Sequence, residues 1–297
     1  MMSIGIECVL FLLAPVFLLC IALEAWYCKR KGFTQIYRWQ DSMCNICLSL
    51  LHQGSDKLAW FFIIPLYQFV YDHYRLFTFS NTIGSFIALF LLQDFFYYWF
   101  HRASHRIRWL WAAHSVHHSS TYMNLSTAFR QSFMYPIAGM WIFWLPIVWL
   151  GFSPNHVLAI VLFNLAFQFF VHTQIVPKLG RLEWLLNTPS IHRSHHARNA
   201  RYIDHNYAGV LVIWDRLFGT YVEEYDEEPC AYGTVKPVIS ANPLIVSLIE
   251  WYDMFAELIR AQSFRQRLMI LFGPPEAAET LTTSTEREGN AHDIKHM

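Results

Sequence analysis

The chain has 297 residues, 55% of them hydrophobic, 18% aromatic and only 15% charged, with a net charge of zero. An average soluble domain carries about 25% charged residues, so polar groups are too few here to cover the apolar surface, and the chain belongs in a bilayer. The zero net charge and the lack of a long Arg/Lys run exclude a nucleic-acid partner.

A membrane span needs about 20 apolar residues. The first runs from about 4 to 26 and contains Pro15, which is tolerable in a membrane helix. It ends in Trp26-Tyr27 and Lys29-Arg30-Lys31, with no basic region before it and no small-residue cleavage site after it. It therefore reads as an anchor and not as a removable signal. A second segment, about 43–72, is interrupted by His52-Gln53-Gly54-Ser55-Asp56-Lys57. It reads as a helix hairpin, or as an interfacial piece followed by a helix over 58–71. The third span is about 83–100 and the fourth about 133–150. A Gly151–Asn155 turn leads to the fifth, about 156–172.

From about 178 to 240 the chain is amphipathic and polar, and 213–220 reads as a helix end closed by Gly219. Residues 243–272 read as one or two amphipathic helices suited to a membrane surface. The predicted fold is all-α: a multi-pass membrane helix bundle of about 4–5 spans with a helical, histidine-rich cap. Residues 1–273 form one unit with a histidine-box core at about 83–220, and 274–297 are a polar, disordered tail.

Charge tests the topology. Lys29, Arg30, Lys31 and Arg38 follow span one, Arg102, Arg106 and Arg108 follow span three, and Lys178 and Arg181 follow span five. All fall on one side if the second segment crosses once, while the 151–155 turn has no Lys or Arg. By the positive-inside rule that side is cytoplasmic. The six cysteines are scattered, and Cys44-x-x-Cys47 has no second pair and no nearby box histidine, so it reads as packing.

The residues that carry chemistry are histidines. Eight of the fifteen fall in three boxes: His101-x-x-x-His105, His114-x-x-His117-His118 and His192-x-x-His195-His196. Imidazole binds first-row metals without adding charge. Residues at i and i+3 or i+4 share a helix face, so each box supplies a ligand pair, and the extra His118 and His196 lie one step around the helix. Eight ligands are too many for one ion and point to two. His172 closes span five at the depth of the boxes and is a candidate ninth ligand, as an intramembrane ionisable residue is by default a functional candidate. His52, His73, His156, His205, His292 and His296 lack this support and read as structural or solvated.

The chemistry narrows by exclusion. No H-E-x-x-H hydrolytic zinc motif occurs, and haem needs widely spaced single histidines rather than adjacent doublets. A redox-active di-iron centre that activates O2, acting on a lipid delivered from the bilayer, explains both the number and the neutrality of the ligands. No G-x-G-x-x-G, iron–sulfur cysteine pattern or haem module is present, so electrons come from outside the chain. A rival reading is a histidine-rich metal transporter or sensor, but transport wants ligands near mid-bilayer.

From about Gln93 to Thr220 the chain resembles the fatty acid hydroxylase/sterol desaturase superfamily of membrane di-iron oxygenases, marked by H-x-x-x-H, H-x-x-H-H and H-x-x-H-H in this order. Words such as Asp94–Arg102, Asn124–Gln131, Asn187–Ser190 and Asp204–Gly209 are most similar to its pterin-dependent, ether-lipid branch. Arg106 departs from that branch, which carries Glu directly after the first box. The resemblance implies that the eight box histidines and His172 bind two irons, with tetrahydrobiopterin a candidate reductant beside a ferredoxin- or cytochrome-type partner. It implies a lipid substrate that is hydroxylated, desaturated or cleaved at an ether. Asp94 and Asn206 are candidates for orienting ring N–H groups or a metal-bound water; the alternative for both is helix capping or turn formation. Arg102, Arg106, Arg108, Arg193, Arg198 and Arg201 are candidates for docking an acidic partner or lipid phosphates, with membrane anchoring the favoured reading for most.

Overall fold

Regular structure in the chain is helical. A computed structural model describes residues 6–275, with side chains from residue 13 onward, and among these there is no strand, only two isolated bridges, Leu186–Leu211 and Ala197–Tyr232. Residues 276–297 of the proposed tail, with His292 and His296, and the first residues of span one lie outside the described residues.

In chain order the helices are α1 (Ile6–Lys31), α2 (Trp39–Tyr74), α3 (Ile83–Arg106), α4 (Arg108–His118), α5 (Tyr135–Ala138), α6 (Leu145–Leu150), α7 (Pro154–Phe169), α8 (Pro189–His195), α9 (Ile213–Leu217), α10 (Pro243–Arg260) and α11 (Phe264–Phe272). Short 3-10 turns fill Leu125–Phe129, Met140–Trp144 and Gly180–Trp184. Among the described residues α3 is the one helix long and apolar enough to cross a membrane by composition.

Two expectations are corrected. The second segment is neither a hairpin nor an interrupted helix: α2 is continuous through the polar stretch. The polar residues there bond within the helix, with His52 Nε2 3.4 Å from Asp56 and Ser55 Oγ donating to the His52 carbonyl, so none competes for a different backbone path. At ~1.5 Å per residue α2 is about 54 Å long, more than the ~30 Å of a hydrocarbon core. The fourth segment, conversely, is broken. Pro136 and Pro146 each sit in the first turn of a new helix, and Gly139 has φ +83 between α5 and the 3-10 turn.

Two ends can be told apart. At one, Leu76 and Phe77 donate to the carbonyls of Trp149 and Leu150, and Phe79 stacks on Phe152 at 4.2 Å. The turn there needs glycine: Gly151 has φ +120, and a Cβ would lie 2.0 Å from the Phe77 carbonyl oxygen. Between the ends, Ile63, Tyr67, Leu89, Tyr97, Trp144, Ile147, Val148 and Val157 interlock α2, α3, α6 and α7. At the other end, the N-terminal part of α2 meets the loop after α4, with Asn45 donating to Ser126 and Arg130 paired with Asp41. This second end carries α4, α8 and every box histidine. Large apolar side chains stay exposed along the bundle, among them Leu19, Phe61, Phe62, Phe86, Ile87 and Phe163.

Cys44 is buried against Leu48, Val116 and Val246, and both it and Cys47 are free, in keeping with a packing role.

Candidate metal centre

Each box sits where the chain turns. His101 and His105 occupy one face of the last turns of α3, and an extended residue, Ile107, then folds α4 back beside it. Pro189 starts α8, with Thr188 as its cap, and places the third box opposite the other two. All eight box histidines and His172 are buried.

They converge in two groups: His101, His105, His114, His118 and His195, and His117, His172, His192 and His196, with the ligand atoms of each group within 4.8 Å of one another. The two doublets are divided between the groups. Neighbouring helix positions point ~100° apart, so His117 and His118 face different groups, as do His195 and His196. The groups adjoin, since the His118 and His196 rings stack at 4.3 Å.

Ring orientation is set mainly by carbonyls. Nδ1 of His101, His172 and His195 donates to the carbonyls of Tyr207, Gln168 and His205, at 2.9, 2.7 and 2.9 Å, and His117 Nδ1 lies between the Arg130 carbonyl at 3.2 Å and the Gln131 amide nitrogen at 3.3 Å. A carbonyl only accepts, so in the rings of His101, His172 and His195 the proton is on Nδ1 and Nε2 presents a lone pair. His117 and His172 face each other Nε2 to Nε2 at 3.0 Å, a spacing that two ligands of one cation can take. The Nε2 atoms of His105 and His195 are buried with no hydrogen-bond partner. Both observations fit metal ions. Across the groups, close Nε2 pairs lie 2.9 to 3.2 Å apart. With metal–nitrogen bonds of ~2.1 Å, neighbours at 90° are ~3.0 Å apart and tetrahedral neighbours ~3.4 Å. The spacing is that of nitrogens able to share one metal ion.

Neither Asp94 nor Asn206 bonds to a box histidine. Asp94 accepts from the backbone N–H of Val210 and Leu211, Trp214 Nε1 and Asn164 Nδ2, at 2.9, 3.0, 2.9 and 3.1 Å. Asn206 donates to Ser194 Oγ and the Val222 carbonyl and accepts from the Val222 N–H. Both fasten the loop 204–211, whose His205 and Tyr207 carbonyls hold His195 and His101. Asp204 and Asn206 take φ of +62 and +59, which Asp and Asn tolerate best after glycine. Gly209 lets this loop touch α3 and α7, because a Cβ there would lie 2.7 Å from Asn164 and 2.8 Å from Tyr97.

Sequence reasoning passed over several residues that do the same work. Asp215 accepts the N–H groups of Tyr207 and Ala208, both at 2.8 Å. Tyr135 places its hydroxyl 2.9 Å from His114 Nδ1. Arg130, fully buried, donates to the Val116 carbonyl, Ser119, Asp41 and Asn45 while its own carbonyl holds His117. A readable signal existed in one case: Asn164, Gln168 and His172 recur every four residues along the apolar run of α7 and the turn after it. Gln168 joins Tyr97 to Asn164, and Asn164 joins Gln93 and Asp94.

Two arginines assigned to docking or anchoring are internal braces. Arg108 holds Glu250 and Glu257, and Arg193 holds Glu224 and the carbonyls of Thr173 and Val176. Arg106 pairs with Asp204 beside His105.

Residues 86–220, which contain both groups, match the sequence profile of the family described as Fatty acid hydroxylase. Those residues, under half of the chain, are a Fatty acid hydroxylase family domain. It is 37% identical to human alkylglycerol monooxygenase over 88% of this chain and 58% of that one, and 39% identical to the Danio rerio protein of the same name over 79% and 51%. It is 28% identical to the ornithine lipid hydroxylase of Rhizobium tropici over 44% of this chain and 40% of that one. The chain spans little more than half the length of the alkylglycerol monooxygenases just named. No solved structure matches it.

The buried histidines of the fatty acid hydroxylase domain make it acid-sensitive without metal. Burial pushes the His195 imidazole down to about 4, and the other histidines of α4 and α8 also titrate well below their ordinary range. Between pH ~6.5 and ~4 the unfolded chain takes up protons that the folded one refuses, so stability falls as pH falls through this window. His195 alone contributes on the order of 3 kcal/mol. Metal-stripped protein should show a thermal midpoint that drops from pH 7.5 to pH 5; a flat profile would mean solvated rings. Tyr135→Phe removes the partner of His114 Nδ1 and should weaken metal retention ~10-fold, the lower end for such an outer partner, read as metal lost during competition with a chelator.

Proposed function

We propose that this chain is a membrane-bound, non-haem di-iron oxidoreductase that uses O2 to hydroxylate or desaturate a lipid C–H bond, with ether-lipid cleavage the favoured outcome. The observation that carries it is the pair of adjoining, buried groups of neutral imidazoles whose bare Nε2 atoms face one another. The similarity to proteins named for lipid monooxygenation and lipid hydroxylation supports the substrate class.

His101, His105, His114, His118 and His195 would hold one iron and His117, His172, His192 and His196 the other. When bound, the irons supply reductive activation of O2 and oxidation of the C–H bond. The net change for hydroxylation inserts one oxygen atom into C–H and reduces the other to water with two electrons and two protons. Those electrons come from an external donor, tetrahydrobiopterin or a ferredoxin- or cytochrome-type protein. The chain's own part is positioning. The carbonyls of residues 207, 168 and 205 fix the tautomers of His101, His172 and His195, the carbonyl of residue 130 helps to orient His117, and burial keeps the imidazoles neutral and the site dry. For an ether substrate, hydroxylation beside the oxygen gives a hemiacetal that falls apart to aldehyde and alcohol.

In the membrane, α1, α2, α3, the broken run 135–150 and α7 would cross in turn, which brings every box to the end that follows Lys29–Lys31 and Arg102–Arg108, the cytoplasmic side. A transporter would need ligands spread along a path, and here they close on themselves at one end.

The test is metal analysis and turnover of purified protein. We expect two irons per chain and O2-dependent consumption of a reductant with formation of oxidised lipid. Readily exchanged zinc without oxygen uptake would sink the reading.

A further inference from the structure

Helix α10 is oriented in the opposite sense to a helix on a water-facing surface. Two of its acids turn inward, Glu250 and Glu257, which hold Arg108 at 5% exposure, while Asp253 pairs with the exposed Lys236. Its outward face is Leu244, Ile245, Leu248, Tyr252, Phe255 and Ile259, spaced three and four residues apart as one helical stripe. Tyr252 is 70% exposed and Ile259 82%. Helix α11 continues the stripe with Phe264, Leu268 and Phe272, of which Phe264 is 74% exposed. The polar face is thus turned to ion pairs with Arg108 and Lys236, and no described residue covers the apolar face.

The location says what covers that face. Trp251 and Met254 of α10 and Ile270 of α11 are buried against Ala138 and Met140, where the run 135–150 begins. Trp109 lies 4.8 Å from Trp251 and donates to the Ala138 carbonyl. Ile137 and Ile142 of that run are themselves 63% and 52% exposed. The stripe therefore continues the exposed apolar surface of the bundle at its histidine-bearing end. Arg260, Arg265 and Arg267 stand exposed around it, placed for phosphate headgroups.

We propose that the outward faces of α10 and α11 form a lipid-binding surface lying in the headgroup–acyl boundary of a bilayer that contains anionic lipid. This rests on the membrane reading of the bundle given above. A helix pair lying flat there would tie α4, through Arg108 and Trp109, to a fixed depth, and with it the second histidine box.

Photocrosslinking of the full chain in nanodiscs of phosphatidylcholine and phosphatidylglycerol tests it. Benzoylphenylalanine replaces Tyr252, Ile259, Phe61 on the bundle, or Asp226, which is 87% exposed, one at a time. We expect lipid adducts at 252, 259 and 61 and none at 226. We also expect enrichment of phosphatidylglycerol that falls about fivefold for each of R260Q, R265Q and R267Q. Lipid adducts at 61 without any at 252 and 259 would overturn this inference alone. Chain-to-chain crosslinks at 252 and 259 would overturn it in favour of a second copy. Absence of lipid adducts at 61 would remove the membrane reading and this inference together.

Discussion

His117→Ala is expected to abolish turnover, by far more than the ~10–100-fold typical of losing an outer partner, while the protein still inserts and folds. His117 faces His172 at 3.0 Å and shares its group with His192 and His196. Without it three imidazoles remain for the second ion, and the five of the other group are untouched. Bound iron should fall from two toward one per chain, measured by elemental analysis beside activity in the same membranes. His156→Ala is the control, because His156 bonds to Ser153 near the N-terminus of α7, at the end away from the groups. It should keep both irons. Full activity in His117→Ala would refute the ligand assignment.

Asp94→Ala should cost several kcal/mol of stability and weaken iron binding, although Asp94 touches no box histidine. Its carboxylate collects four donors, and truncation leaves the buried N–H groups of Val210 and Leu211 without an acceptor at ~1–3 kcal/mol apiece before relaxation, while Asn164 keeps Gln93. The 204–214 segment would loosen, and with it the carbonyls that hold His101 and His195. Asp94→Asn should rescue little, since its amide adds donors where donors already converge. The measurement is the denaturant midpoint together with iron retained through chelator challenge. An unchanged midpoint in Asp94→Ala would show that the loop is held by other means, with Asp215 the first candidate.

The boxes were legible because their geometry is local. Spacings of three and four on a helix place histidines on one face whatever the tertiary fold does, and His172 stood out as an ionisable residue in an apolar run. The division of His117 from His118 also follows from helix pitch. The roles of Asp94 and Asn206 were not legible. Both hold a loop, and that loop acts through the carbonyls of residues 205 and 207, a group every residue carries. Tyr135 and Arg130 reach the site only because α5 and the loop after α4 fold back on it. The unbroken α2 and the broken 133–150 run were misread for one reason. Polar residues that bond within a helix do not end it, whereas proline and a left-handed glycine do.

Composition and spacing by themselves determined that this is an all-helical chain suited to lipid, carrying enough neutral ligands for two ions, because those are properties of short windows. Only the tertiary structure decided which histidine joins which group, which nitrogen each presents, and that Arg108 and Arg193 face inward. Those depend on segments distant in sequence being brought within hydrogen-bond reach, and nothing in a local pattern encodes the partner at the far end.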